Sequence, residues 1–147
     1  MCIRDRYETH LVNTVAQAIE LVQAIDHRAA CVMADTFHMG IEESDPVGAI
    51  HQASAHLGHV HFADNTRAAP GTGTIDFAPY VEALIDIGYA GTITFELFPA
   101  QARPLESVIS GDAPEFFDAY TRSSVEHVRS IEQQVRVRRS TQGGGSR

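Results

Sequence analysis

The sequence predicts an α/β fold with a parallel sheet, built as part of a (β/α)8 barrel of the TIM type. Three observations predict it. Short apolar runs alternate with amphipathic helical stretches. Each run ends on a side chain that bears chemistry: Asp35 after Ala30-Cys31-Val32-Met33-Ala34, His61 after Leu57-Gly58-His59-Val60, and Glu96 after Thr92-Ile93-Thr94-Phe95. No phosphate-binding glycines follow the first run, where a doubly wound dinucleotide fold would place them. Buried strands alternating with helices mean a parallel sheet with crossover connections. A complete barrel takes about 250 residues and eight strands. The 147 residues here, with about three parallel strands and four helices, read as a portion of one.

The elements follow in order. Met1-Cys2-Ile3-Arg4-Asp5-Arg6 does not lead into the pattern that follows. It resembles the translation of a transposase sequencing adapter, so residues 1–6 are expected to be an adapter scar, with Arg6 its ambiguous edge. On that expectation the chain is the C-terminal part of something longer. Leu11, Val15, Ile19, Val22 and Ile25 recur at helical steps and predict a helix over 9–25. A strand at 30–34 and a loop at 36–45 come next. Asp45 before Pro46 is an N-cap and first-turn pair opening a helix to about residue 55. A strand at 57–62 leads into a loop at 63–76, punctuated by Pro70, Gly71 and Gly73. Residues 77–87 are helical by pattern, and Gly88 is a C′ stop. The strand at 92–97 is rich in β-branched and aromatic residues. A loop with Pro99, Pro104, Gly111 and Pro114 precedes a final helix at 115–135. Residues 7–135 are expected to form the barrel portion. Residues 136–147, with Gly143-Gly144-Gly145, are expected to be a disordered tail.

Bulk properties exclude several classes. Net charge is −8, and 44% of the residues are hydrophobic. There is no Lys, and the dense basic stretch is Arg136, Arg138 and Arg139 near the end of the sequence. Duplex binding needs clustered basic residues, so no nucleic-acid partner is expected. The apolar runs are far short of a membrane span, and no secretory core follows the N-terminus. Cys2 and Cys31 make no disulfide framework, and Cys31 reads as a plain core thiol. A cytoplasmic home fits.

In β/α barrels the C-terminal strand ends share one mouth, and chemistry sits there. Asp35, His61 and Glu96 would converge on one point, and carboxylate with imidazole suits a divalent metal. Blander readings stand beside this one. Asp35 could be a helix or turn cap. His61 could be a hydrogen-bonded buried histidine. His59 shares its face by the period of two and reads as packed barrel interior. Glu96 ends an apolar strand, where an unpaired carboxylate is costly to bury, so a metal or Arg should accompany it. Asp64 reads as a partner for a metal-bound imidazole. Pro70-Gly71-Thr72-Gly73 lacks the Lys and Ser/Thr of a P-loop and reads as a shaped loop.

Residues 7–99 resemble the ketose 3-epimerases of the xylose-isomerase-like sugar isomerase/epimerase barrels. The resemblance rests on Arg6-Tyr7-Glu8-Thr9-His10-Leu11, Asp35-Thr36-Phe37-His38-Met39, His59-Val60-His61-Phe62-Ala63-Asp64-Asn65-Thr66-Arg67, Pro70-Gly71-Thr72-Gly73-Thr74-Ile75-Asp76-Phe77 and Phe95-Glu96, in that order. It implies the C-terminal portion of such a barrel. It implies one divalent ion, Mn2+ in the first place with Mg2+ or Co2+ as alternatives, held by Asp35, His61 and Glu96. Glu96 would also be an acid/base catalyst. Glu8, His38 and Arg67 would hold a keto-sugar. The first metal-binding Glu of the family falls at position 2, where this chain has Cys2. One of the two acid/base carboxylates is therefore expected to be missing, and the chain by itself inactive. Full-length relatives are expected to be homo-oligomers.

The triad alone does not separate sugar 3-epimerases from hydroxypyruvate isomerase or inosose isomerases and dehydratases of the same fold. Glu8, His38 and Arg67 tilt the resemblance toward ketose epimerases. An endonuclease-IV-like phosphodiesterase would need more His and carboxylate ligands for its metal cluster. A non-catalytic scaffold with an exposed sheet edge is the alternative from another class.

Overall fold

Thr14 decides where the first helix starts. In the computed structural model, which describes residues 11–98 and 113–143, α1 spans Val15–Ile25. The Thr14 hydroxyl accepts from the Gln17 amide, and the Gln17 side chain accepts in return from the Thr14 amide. This reciprocal capping box satisfies two N–H groups that a helix start leaves without partners. The helix therefore begins at Val15, not at residue 9, and Leu11 is 75% exposed instead of facing the core.

Three parallel strands form one sheet in the order β1 (Val32–Asp35), β2 (Leu57–Phe62), β3 (Ile93–Phe95). Between β1 and β2 lie α2 (Thr36–Glu42) and α3 (Pro46–Ala53), followed by a 3-10 turn at Ser54–His56. α4 (Ala78–Asp86) joins β2 to β3, and α5 (Ala113–Gly143) follows β3. Asp45 caps α3 as expected, its carboxylate accepting from the Gly48 amide at 2.9 Å. α4 ends in a Schellman motif: Gly88, at φ +65°, donates to the Ile85 carbonyl while Tyr89 donates to the Leu84 carbonyl.

Two further segments depart from expectation. Residues 36–42 are helical where a loop was expected, making five helices instead of four among the described residues. Asp35 is the cause. Its Oδ1 accepts from the Phe37 and His38 amides at 3.0 and 3.3 Å and so nucleates α2 directly at the strand end. Residues 136–143, expected in a disordered tail, continue α5. Arg138 pairs with Glu82 at 3.0 Å and Arg139 with Asp86 at 2.6 Å, holding this turn against α4.

The core lies between the sheet and the helices. Val32, Val60, Phe62, Ile50, Phe77 and Val135 are buried at 0–1% exposure. The Phe62 and Phe77 rings sit 5.1 Å apart. Each such side chain contributes about 1.5–3 kcal/mol by leaving water. This packing seats β1, β2 and β3 side by side, so their C-terminal ends open on one edge.

Candidate metal centre

Register brings the first two site residues together. Asp35 lies opposite His61 across the β1–β2 pair, and His61 opposite Thr94 across β2–β3. Glu96 leaves β3 one residue past its end. His61 Nδ1 stands 3.4 Å from Asp35 Oδ2 and 3.5 Å from Glu96 Oε2. One ligand atom from each of Asp35, His61 and Glu96 lies within 4.8 Å of the others. The three groups, far apart along the chain, share one point.

Asp35 Oδ2 and His61 Nδ1 are both buried, and neither makes a hydrogen bond among the described residues. Bonds of about 2.1 Å to one cation place neighbouring ligand atoms about 3.0 Å apart at right angles and about 3.4 Å apart at tetrahedral angles. The two separations at His61 suit such a shell, while the two carboxylates, within 4.8 Å of each other, would close to about 4.2 Å or less around a bound ion. Two carboxylates and an imidazole are also the donors that Mn2+ or Mg2+ accepts. The residues present fit a divalent cation.

Asp35 therefore has two jobs. Oδ1 caps α2 and Oδ2 faces the shared point, so the cap reading and the ligand reading are both compatible with one side chain. Burial pushes its carboxyl upward. The His61 ring beside it, the charge on His38 and the His38 amide outweigh that and hold it below the ordinary value.

Arg67 closes the other side. Its Nη2 donates to Glu96 Oε2 at 2.8 Å and lies 3.1 Å from His38 Nε2. The guanidinium carbon is 4.8 Å from the Phe37 ring centre and 4.9 Å from that of Phe98. Phe37 sits in the first turn of α2 and Phe98 just beyond Glu96, so two elements clamp one cation between aromatic faces. The Phe98 amide also donates to the Arg67 carbonyl at 2.7 Å. Sequence reasoning missed both phenylalanines. A cation–π sandwich leaves no spacing signature, because its members come from separate loops.

His59 does not reach the shared point. Its ring lies edge-on to His61 at 5.0 Å, and its Nε2 is 3.0 Å from the Thr94 hydroxyl. Burial first, then the neighbouring His61, pushes its pKa down. Asp64 is not a partner of the His61 ring: both of its oxygens bind backbone amides. Thr36, also missed, ties the strand ends together. Its hydroxyl donates to the Ala63 carbonyl at 2.8 Å and accepts from the Ala63 amide at 3.1 Å. Glu8 lies outside the described residues.

The sequence model of one family, described as a xylose isomerase-like TIM barrel, matches residues 3–120. The D-psicose 3-epimerase of Ruminiclostridium cellulolyticum is 43% identical over 96 residues, which are 65% of this chain and 33% of that one. The 3-dehydro-D-guloside 4-epimerase of Escherichia coli K12 is 39% identical over 92 residues, 63% of this chain and 35% of that one. The crystal structure of D-psicose 3-epimerase with D-tagatose from Clostridium cellulolyticum H10 matches with a TM-score of 0.75 at 31% identity, covering 90% of this chain and 48% of that chain. The chain thus spans about a third of the length of these curated relatives and about half of the solved one.

Proposed function

We propose that this chain, which belongs to the xylose isomerase-like TIM barrel family, supplies part of the active site of a metal-dependent sugar epimerase acting on a keto-sugar at C3. The observation that carries the reading is the pair of buried, mutually facing ligand atoms Asp35 Oδ2 and His61 Nδ1, neither hydrogen-bonded among the described residues, with Glu96 completing the triangle. The names of the relatives, which are epimerases, support it.

Asp35, His61 and Glu96 would hold the cation. A divalent ion there, Mn2+ in this proposal, supplies Lewis-acid stabilisation of negative charge on the substrate's oxygens. The protein's own work is to move a proton. Epimerisation next to a ketone removes a proton from one face of the carbon and returns one to the other, through a planar enediolate. Each face needs a carboxylate. Glu96 serves one face, with Oε2 aimed by the Arg67 guanidinium so that the group reaches the carbon in one orientation. His38 and Arg67 meet beside it and would bind the sugar hydroxyls, with Glu8 as a further contact. The second acid/base carboxylate is not among these residues, and Cys2 stands where the resemblance calls for it. We therefore expect little turnover from this chain alone. A cytoplasmic setting and an oligomeric full-length enzyme belong to the same proposal. Among the described residues no helix is long and apolar enough to cross a membrane.

The test fuses a relative's first barrel half to this chain and assays D-fructose, D-psicose and D-tagatose with Mn2+. Turnover that vanishes in Glu96→Gln is the expected result, and unchanged activity in that variant removes Glu96 from proton transfer. The E. coli relative favours a second reading, the same proton transfer at C4 of a 3-keto sugar, and such a substrate run in the same assay separates the two.

A further inference from the structure

The loop between β2 and α4 is wrapped around a single carboxylate. Asp64 is 0% exposed. Its Oδ1 accepts from the Asn65 and Ile75 amides at 2.9 and 3.1 Å. Its Oδ2 accepts from the Gly71 and Gly73 amides at 3.0 and 2.8 Å. An ionised carboxylate offers about four lone-pair sites, and all four are taken by backbone N–H groups of one loop. Concave sets of amides like this usually enclose a bound anion. Here the chain supplies the anion itself. Glycine is required at position 73, because a Cβ there would collide with Asp64 Oδ1 and Asn65 Oδ1. Gly71 sits at φ +89°, and a Cβ on it would lie 2.7 Å from the His127 ring.

The same residue closes a tight turn. The Asp64 amide donates to the Ala68 carbonyl at 3.0 Å, and the Arg67 amide donates to the Asp64 carbonyl at 2.8 Å. Arg67 occupies this turn at φ +59°, a left-handed backbone that a side-chain-bearing residue adopts only when its surroundings impose it. That backbone sends the guanidinium between Phe37 and Phe98 and onto Glu96.

We propose that Asp64 is the positioning residue for Arg67: its carboxylate gathers the loop amides, and the loop so formed imposes the Arg67 backbone that delivers the guanidinium to Glu96. The lowered pKa of Asp64 agrees with this. Burial raises its pKa, but the Ile75, Asn65, Gly73 and Gly71 amides lower it by more. Its consequence for catalysis rests on the epimerase reading, whereas its physical content does not.

The experiment is proton NMR of this chain with Asp64→Asn. Arg67 protons lie between two rings in the wild type, so ring currents shift them upfield. The Asn amide turns a donor toward the Gly71 and Gly73 amides, and the loop must open. The expected result is loss of the upfield shift at Arg67 while the buried methyls of Val32 and Val60 keep their wild-type positions. An Arg67 signal that stays upfield in a folded Asp64→Asn chain overturns the proposal. Should that variant not fold, Gly73→Ala, which crowds the carboxylate without removing it, is read the same way. Thr74→Ser, an exposed change in the same loop, leaves Arg67 in place. Absence of epimerase activity would leave this coupling standing, and failure of the coupling would leave the metal centre standing.

Discussion

Replacing Asp35 with Asn should reverse the order of stability between wild type and variant when Mn2+ is added. In the wild type, Oδ1 is committed to the Phe37 and His38 amides, while Oδ2 faces His61 Nδ1 at 3.4 Å without a hydrogen bond. Asparagine keeps an oxygen at the capping position, because those two amides face it. Its NH2 then falls where Oδ2 was and donates to His61 Nδ1. A buried acceptor without a partner costs about 1–3 kcal/mol, and the hydrogen bond gained is worth about 1 kcal/mol net. Without metal the variant should therefore be at least as stable as the wild type, by about 1 kcal/mol, or about 4 °C in Tm. Metal reverses this. At one hundred times its Kd a bound ion stabilises the wild type by about 2.7 kcal/mol, or about 11 °C. If the neutral amide weakens the site about a hundredfold, the variant gains only about 0.4 kcal/mol at the same concentration. Circular-dichroism melts in EDTA and in excess MnCl2 read both numbers. A wild type that gains nothing from Mn2+, with a variant that loses more than about 1 kcal/mol in EDTA, would show that the two groups form an ordinary structural pair and would refute the reasoning.

Three further outcomes are expected. Ile50→Ala removes a fully buried side chain from the core under the sheet and should cost about 2–5 kcal/mol in urea unfolding. Asp64 has its carboxyl pKa lowered in the fold. Its contribution is fully present above the ordinary carboxylate value of 3.8 and is lost as pH falls through the lower folded value. Stability should thus drop below about pH 4, and Asp64→Asn should flatten that drop when melts are compared across pH. Arg139→Ala breaks a half-exposed pair with Asp86 at 2.6 Å and should change stability by less than about 1 kcal/mol. A larger loss would mean that α5 depends on this pair to stay against α4.

The elements easiest to read were those whose signal is local. Asp45 before Pro46 fixed the start of α3, and Gly88 marked the end of α4, because caps and left-handed glycines act over a few residues. The start of α1 lies later than the apolar period suggests, because Leu11 continues that period while the Thr14–Gln17 capping box ends it. The helix α2 is hidden for a related reason. Its cap, Asp35, also bears the strand-end ligand atom, and one carboxylate with two oxygens serves both roles. Residues 136–143 looked like a tail because their partners, Glu82 and Asp86, lie on another helix.

Taken by itself, the order of residues determined that three strands would run to within a residue of Asp35, His61 and Glu96, because strand period and apolar runs are properties of neighbours along the chain. Register and packing decided that these three atoms lie within 4.8 Å, that Arg67 lies between Phe37 and Phe98 on its way to Glu96, and that Asp64 turns inward to its own loop and away from His61. Those outcomes depend on which segments become neighbours in space, and a contact between distant segments is chosen only when the whole sheet and its helices close around it.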